Sequence, residues 1–282
     1  MKGFLIYFAK RYIAGTKKEH AIDAAKSLNQ EGLKASIDIL GENVTDEGEA
    51  GANVIEYTGL LEEIKAAGVD ATISLKLTHL GLDISEELAA KNLERILKTA
   101  RSLGNFVRID MESSKYTDTT LRIFLGLHDR YPGMGVAIQS YLLRSEGDIE
   151  ILMERGASVR LVKGAYKEPP GVAFQAKSLV NNNFSDLMKT ILLKGKRPAI
   201  ATHDEALVDT AVKFAGENKI PKKKFEFQML LGINRKLQNR LAGEGFNVRV
   251  YVPYGKNWLP YVIRRLGERK ENIFFVARHI FD

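Results

Sequence analysis

From about residue 33 onward, short runs in which apolar and polar residues alternate give way repeatedly to longer segments whose apolar residues recur every three or four positions. The β-type runs are LKASIDIL (33–40), DATISLKL (70–77), NFVRIDM (105–111), GVAIQSY (135–141), SVRLVKGAY (158–166), RPAIATH (197–203), FEFQML (225–230) and NVRVYVPYG (247–255). A helical segment follows each of them. In 84–103, for example, Leu88, Leu93, Ile96 and Leu97 fall at helical spacing and Ser85 is placed to cap the start. Strands separated by helices of this length form right-handed βαβ units, and eight such units close into a barrel. The pattern predicts an α/β fold, a (β/α)8 TIM-like barrel over 33–282, behind an N-terminal helical extension over 1–32. A doubly wound open sheet is the alternative, but no G-x-G-x-x-G turn follows the first strand.

The opening MKGFLIYFAKRYIAG resembles a leader because a lysine precedes an apolar run, yet that run stops at Lys10 and Arg11. It is too short to span a bilayer and lacks a small-residue cleavage site, so it reads as a helix packed on the body. No other stretch approaches the ~18 apolar residues of a span. A cytoplasmic protein is expected.

Composition narrows the chemistry. The chain has 282 residues and no cysteine, which excludes disulfides, thiolate catalysis and cysteine-ligated metals. Its five histidines are scattered, with no H-E-x-x-H, so no metal site is expected. The formal charge of +7 favours anionic ligands, nucleic acid or an acidic membrane surface. The densest basic run, Lys222 to Lys224, has no interleaved aromatics for stacking on bases, and reads as a solvated loop or helix end rather than a nucleic-acid site.

Barrel enzymes build their sites at the C-terminal ends of the strands. Those ends carry Glu42, Lys76, Asp110, Gln139, Arg160 with Lys163, His203, Gln228 with Leu230, and Tyr251. Any one could be structural, and Lys76 could pair with Asp110 across adjacent strands. As a set they point to a site, because buried charges are costly unless paired or used.

After the eighth strand comes Trp258-Leu259-Pro260, with Pro260 placed for a first helical turn. On that helix Tyr261, Arg264, Arg265 and Glu268 share one face, at i, i+3, i+4 and i+7. A surface Arg264–Glu268 pair would contribute only about 0.3–0.5 kcal/mol and would explain neither the flanking aromatics nor the position. Two planar guanidiniums suit a carboxylate or phosphate held in fixed orientation.

Here the chain closely resembles the flavin-dependent proline dehydrogenases, of the short monofunctional bacterial type. The resemblance runs through RYIAG (11–15), LGENVT (40–45), SLKLTHLGL (74–82), IQSYL (138–142), RLVKGAYKEP (160–169), ATHDEAL (201–207), FEFQMLLGI (225–233) and YVPYGKNWLPYVIRRLGE (251–268), in order and over nearly the whole chain. It implies a distorted barrel with the last helix over its mouth, FAD as cofactor, and oxidation of L-proline to Δ1-pyrroline-5-carboxylate. Further implied are electron transfer to a membrane quinone through peripheral membrane contact, and a functional pairing with a pyrroline-5-carboxylate dehydrogenase. Carried over by position, Arg264, Arg265 and Lys76 would hold the proline carboxylate. Tyr251, Tyr261 and Leu230 would line the ring, Asp110 would stand near the arginines, and Glu42 would pair with the first arginine and gate entry. Gln139, Arg160, Val162, Lys163, Gly164, Ala165, Tyr166, Thr202, His203 and Glu268 would contact the flavin. Lys167 departs from the family, where many members carry Trp.

Two other readings rest on the residues. Lys163 or Lys76 could be the amine of a Schiff-base aldolase on the same fold. A basic binding module would rest on net charge alone and leave the strand-end constellation unexplained.

Overall fold

The computed structural model describes residues 11–267, with side chains through Arg265. Eight parallel strands close into a barrel in sequence order: β1 (Lys34–Ile39), β2 (Ala71–Leu75), β3 (Val107–Ile109), β4 (Met134–Gln139), β5 (Ser158–Val162), β6 (Ala199–Ala201), β7 (Glu226–Leu230) and β8 (Asn247–Tyr254). The ring is sealed by β8 against β1, with Lys34 opposite Arg249 and Asp38 opposite Pro253. The helices are α1 (Lys18–Gln30), α2 (Glu47–Ala67), α3 (Glu86–Ser102), α4 (Thr117–His128), α5 (Ser145–Glu154), α6 (Lys177–Lys194), α7 (Glu205–Glu217), α8 (Arg235–Gly243) and α9 (Trp258–Gly267).

Strand alternation sorts the side chains into two environments. Ile37, Ile73, Val107, Ile109, Val136, Leu161, Phe227 and Val250 are buried in one continuous apolar cluster together with helix residues such as Val54, Leu61, Leu93, Ile96 and Val208. The intervening positions are strongly polar and meet one another across the barrel: Ser36, Asp38, Ser74, Arg108, Ser158, Arg160, Gln228 and Arg249 are all buried. Period-2 patterning therefore sends the apolar face outward to the helices and the polar face inward.

Helix signals act as the sequence predicts. The Ser85 hydroxyl accepts from Leu88 N at 3.1 Å and starts α3. Asp46 caps α2 in the same way, and Gly68 ends α2 in the left-handed region at φ 63°.

Position distinguishes the first and last described helices. α1 packs against β8 and β1, the flank that a helix following β8 would otherwise take. α9 instead belongs to a separate cluster with Tyr12, Ile13, Leu40 and Ile233, at the C-terminal ends of the strands, and it contributes Tyr261 and Val262. The expected helix at the N-terminus is corrected in part: residues 1–10 lie outside the described residues, while 11–17 form turns and a bridge. Backbone bonds from Ala14 N to Pro253 O (2.8 Å) and from Gly255 N to Gly15 O (3.0 Å) bind this segment to the end of β8. Gly232 lets it pass closely, because a Cβ there would lie 1.8 Å from the Arg11 carbonyl oxygen.

Candidate active site

Three buried charges meet at the C-terminal ends of β1, β2 and β3. The Lys76 ammonium donates to Asp38 Oδ2 at 3.1 Å and Oδ1 at 3.4 Å. Pairing of Lys76 with Asp110 is thus corrected. The register sets Asp38 opposite Ser74, so Lys76, two residues on along the same face, arrives beside Asp38. Asp110 is engaged elsewhere: its Oδ1 accepts from the Arg160 guanidinium and its Oδ2 accepts the Tyr251 hydroxyl at 2.7 Å. Arg160 also donates to Ser74 Oγ at 3.2 Å and lies over the Tyr251 ring, 5.7 Å from its centroid. Strands β1, β2, β3, β5 and β8 thereby share one charged floor.

Burial and neighbours set the protonation of this floor. Burial pushes the Asp38 carboxyl up to about 6, with Lys76 opposing. Burial disfavours the Lys76 ammonium, but Asp38 and then Asp110 outweigh it and hold the pKa above its ordinary value. Burial, with Asp110 and Asp38 beside it, pushes the Tyr251 phenol far upward, so it remains a donor. Glu112, two residues past Asp110, accepts from the Thr78 hydroxyl and from Thr78 N at 3.2 Å. Burial nonetheless pushes it up to about 7. His79 is lowered to about 3 by burial and by Lys76, and stays neutral.

Above this floor lies α9. Tyr261 is buried with Leu230 and Trp258 against it, Arg264 Nη1 stands 3.7 Å from Glu42 Oε1, and the Arg264 guanidinium lies over the Tyr166 ring at 5.9 Å. The Arg265 guanidinium lies 5.6 Å from the Tyr261 centroid. Arg264 is thus grouped with Glu42 and Tyr166, and Arg265 with Tyr261. Glu268 lies outside the described residues.

A second group of polar residues gathers on the β4–β7 side. Gln139 donates to the Glu112 carbonyl at 2.8 Å, and Lys163 pairs with Asp204 at 2.7 Å, which holds the Asp204 carboxyl below its usual range. The Thr202 hydroxyl accepts from Asp204 N at 3.1 Å, and His203 Nε2 accepts from Leu230 N at 2.8 Å. Val162 ends β5, and Gly164, Ala165 and Tyr166 follow it. Gly164 has φ +121°, and a Cβ there would lie 2.3 Å from the Tyr141 ring. Only glycine lets the backbone run this close to Tyr141. Arg160 of β5 also donates to Gln228 Oε1 of β7 at 3.5 Å.

Three residues of this neighbourhood were not singled out in the sequence. Asp38 is a lone acid inside the apolar run SIDIL, a signal that strand-end reasoning passes over. Glu112 and Asp204 each lie within two residues of a residue that was singled out.

The family model described as proline dehydrogenase matches residues 21–278. Proline dehydrogenase 1 of Bacillus subtilis subsp. natto is 42% identical over 272 residues, covering 96% of this chain and 90% of that protein. The proline dehydrogenase of Deinococcus radiodurans is 38% identical over 275 residues, covering 96% and 89%. Among solved structures, proline utilization A from Bdellovibrio bacteriovorus inactivated by N-propargylglycine superposes with a TM-score of 0.88 at 25% identity, covering 96% of this chain and 34% of that longer one. The barrel agrees with that of the solved structure, and the chain, which matches the two short relatives over 90% and 89% of their length, belongs to the proline dehydrogenase family.

Proposed function

We propose that this site oxidises L-proline to Δ1-pyrroline-5-carboxylate with FAD as cofactor, and that the electrons pass on to a membrane quinone. The observation that supports the reading is α9, which packs at the C-terminal ends of the strands and pairs Arg264 with Glu42, at the same end of the barrel as Lys76, Asp110 and Tyr251. Arg264, Arg265 and Lys76, three cations at one end of the barrel, suit a substrate carboxylate. Leu230, Tyr251 and Tyr261 supply an apolar and aromatic wall for a small ring.

The β4–β7 residues fit a flavin in kind. Gln139, Lys163 and Thr202 would hold a flavin by donating to it, Arg160 and Lys163 are cations suited to a ring that takes up negative charge, and Gly164 lets backbone approach closely. When bound, the flavin supplies the hydride acceptor that no side chain provides.

The chain's own residues orient and enclose the substrate. Arg264, Arg265 and Lys76 fix the carboxylate and thereby the ring carbon that loses hydride. Tyr251, held by Asp110, keeps the ring in register. Glu42, paired to Arg264, acts as a gate: exchange of that pair for a substrate carboxylate couples entry to closure of α9, which excludes water. The product is consumed by a pyrroline-5-carboxylate dehydrogenase. Peripheral membrane contact belongs to the same proposal; among the described residues no helix is long and apolar enough to cross a membrane.

The test is the visible spectrum of the purified protein before and after anaerobic L-proline. Flavin bands that bleach with proline support the proposal; bands that persist refute the substrate, and no bands after reconstitution with FAD refute the cofactor. In that last case borohydride trapping would test Lys163 and Lys76 as Schiff-base amines.

A further inference from the structure

At the opposite, N-terminal face of the barrel is a cavity of about 620 Å3, a volume within the range of small-molecule sites. Seven cationic side chains and two carboxylates line it, a net +5, when the whole chain carries +7. Its floor is built. Arg249 is 8% exposed and is fixed by Glu226 (3.0 and 3.1 Å) and by the Ala35 carbonyl (2.7 Å). Arg108 is 4% exposed, donates to the Ser158 carbonyl at 2.6 Å and the Ser158 hydroxyl at 3.1 Å, and leaves its Nε without a hydrogen-bond partner.

Local acids do not balance this charge. Glu226 is taken by Arg249, and Asp70 is shared between Lys34 at 3.0 Å and Arg249 at 3.6 Å. Around the rim, Lys65, Arg197, Lys223 and Lys224 are exposed. None of the four forms an ion pair among the described residues. Arg197 lies 6.0 Å from the Phe106 ring centroid, and Lys224 reaches only the Leu193 carbonyl, at 3.4 Å.

Ion pairs that serve stability alone would come near to charge balance, because an unpaired buried or crowded cation is a cost. Here burial, with Arg160 and Arg249 nearby, pushes the Arg108 guanidinium down to about 9, a strain that a bound anion would relieve. Concave low-dielectric walls also focus the field of the rim onto whatever enters.

We propose that this cavity binds a small phosphate-bearing polyanion, held between the Arg108–Arg249 floor and the Arg197–Lys223–Lys224 rim. Fork-shaped guanidiniums and point-charge ammonium groups together suit phosphate oxygens of differing orientation. The site is separate from the arginine pair of α9, which lies at the other end of the barrel.

The test is calorimetric titration of the holoenzyme with inorganic pyrophosphate at fixed ionic strength, with sodium chloride as control. Three proteins are compared: the parent, Arg265→Met, and the rim variant Arg197→Gln/Lys223→Gln/Lys224→Gln. The parent and Arg265→Met should give saturable one-site binding that weakens as salt rises, and the rim variant should bind at least tenfold more weakly. Proline turnover of the rim variant should be unchanged, and pyrophosphate should raise the melting temperature of the parent but not of the rim variant. Heats that never saturate, binding lost in Arg265→Met, or an unaltered isotherm in the rim variant would each overturn the proposal.

Discussion

Replacing Lys76 with methionine separates structural from substrate-binding contributions at the floor of the site. The ammonium is the partner of Asp38, whose side chain is buried. Removing it leaves a buried carboxylate without its counter-ion, which costs about 3–5 kcal/mol. At about 2–4 °C per kcal/mol for chains near this size, the melting temperature should fall by roughly 6–20 °C at pH 7.5. The pH dependence has a definite sign. The folded carboxyl of Asp38 is already raised to about 6 with Lys76 present, and without the ammonium it rises further. A raised folded pKa gives stability that is fully present below the unfolded value and is lost as pH climbs through the folded one. The defect should therefore be largest above pH 7 and shrink toward pH 5. Asp38→Asn/Lys76→Met, which removes the charge itself, should recover more than half of the lost melting temperature at pH 7.5. It should not restore the proline KM if Lys76 also holds the substrate carboxylate. Thermal unfolding of the parent and the two variants, at pH 7.5 and pH 5 and with steady-state kinetics alongside, makes the measurement. A single variant that melts within about 2 °C of the parent, or a double variant no better than the single, would refute the reasoning.

Four further outcomes are expected. Arg265→Met should raise the proline KM strongly while flavin content, read from absorbance, stays at parent level. Tyr251→Phe removes the 2.7 Å bond to Asp110, and at about 1.5–3 kcal/mol for a bond to a charged group it should lower kcat/KM by roughly 10- to 100-fold. Glu112→Gln should flatten the melting-temperature profile between about pH 4.5 and 7: the raised folded pKa makes this glutamate favour folding below that window and lose that contribution across it. Gly164→Ala forces a Cβ into the Tyr141 ring at a backbone angle that disfavours it, so the purified variant should retain much less flavin than the parent.

All eight strands were legible as short β-rich runs, and in several of them, such as β1, β2 and β8, polar residues take alternate positions that proved to be the barrel's interior. Helix starts were legible where a side chain does the capping, as at Ser85. The arginine face of α9 followed from spacing alone. Partner choice was not legible: Lys76 could be placed at a strand end, but which acid it meets depends on the β1–β2 register, a tertiary quantity. The N-terminal-face cavity was also missed, because strand-end reasoning attends to one face, and Lys222 to Lys224 does form a loop as expected while two of its lysines line a concave rim. Residues 11–15 were read as the end of a helix from the apolar content of 1–15, whereas backbone bonding to β8 decided otherwise for them.

The inward-facing polar strand positions also bear on how the chain reaches its native state. Their bonds join residues remote in sequence: Arg249 to the Ala35 carbonyl spans 214 positions, Tyr251 to Asp110 spans 141, and Arg160 to Ser74 spans 86. A barrel lacking β8 would keep the outer apolar contacts of the other seven strands yet leave Asp110 without the Tyr251 hydroxyl and the Ala35 carbonyl without its guanidinium. Water must then remain in the lumen of any open intermediate, and the last strand can dock only as that water leaves. Ring closure is thus the step that converts a wet, loosely paired sheet into a cooperative unit, and refolding should be slow and governed by long-range contacts, with amide protection of β1 and β8 appearing together.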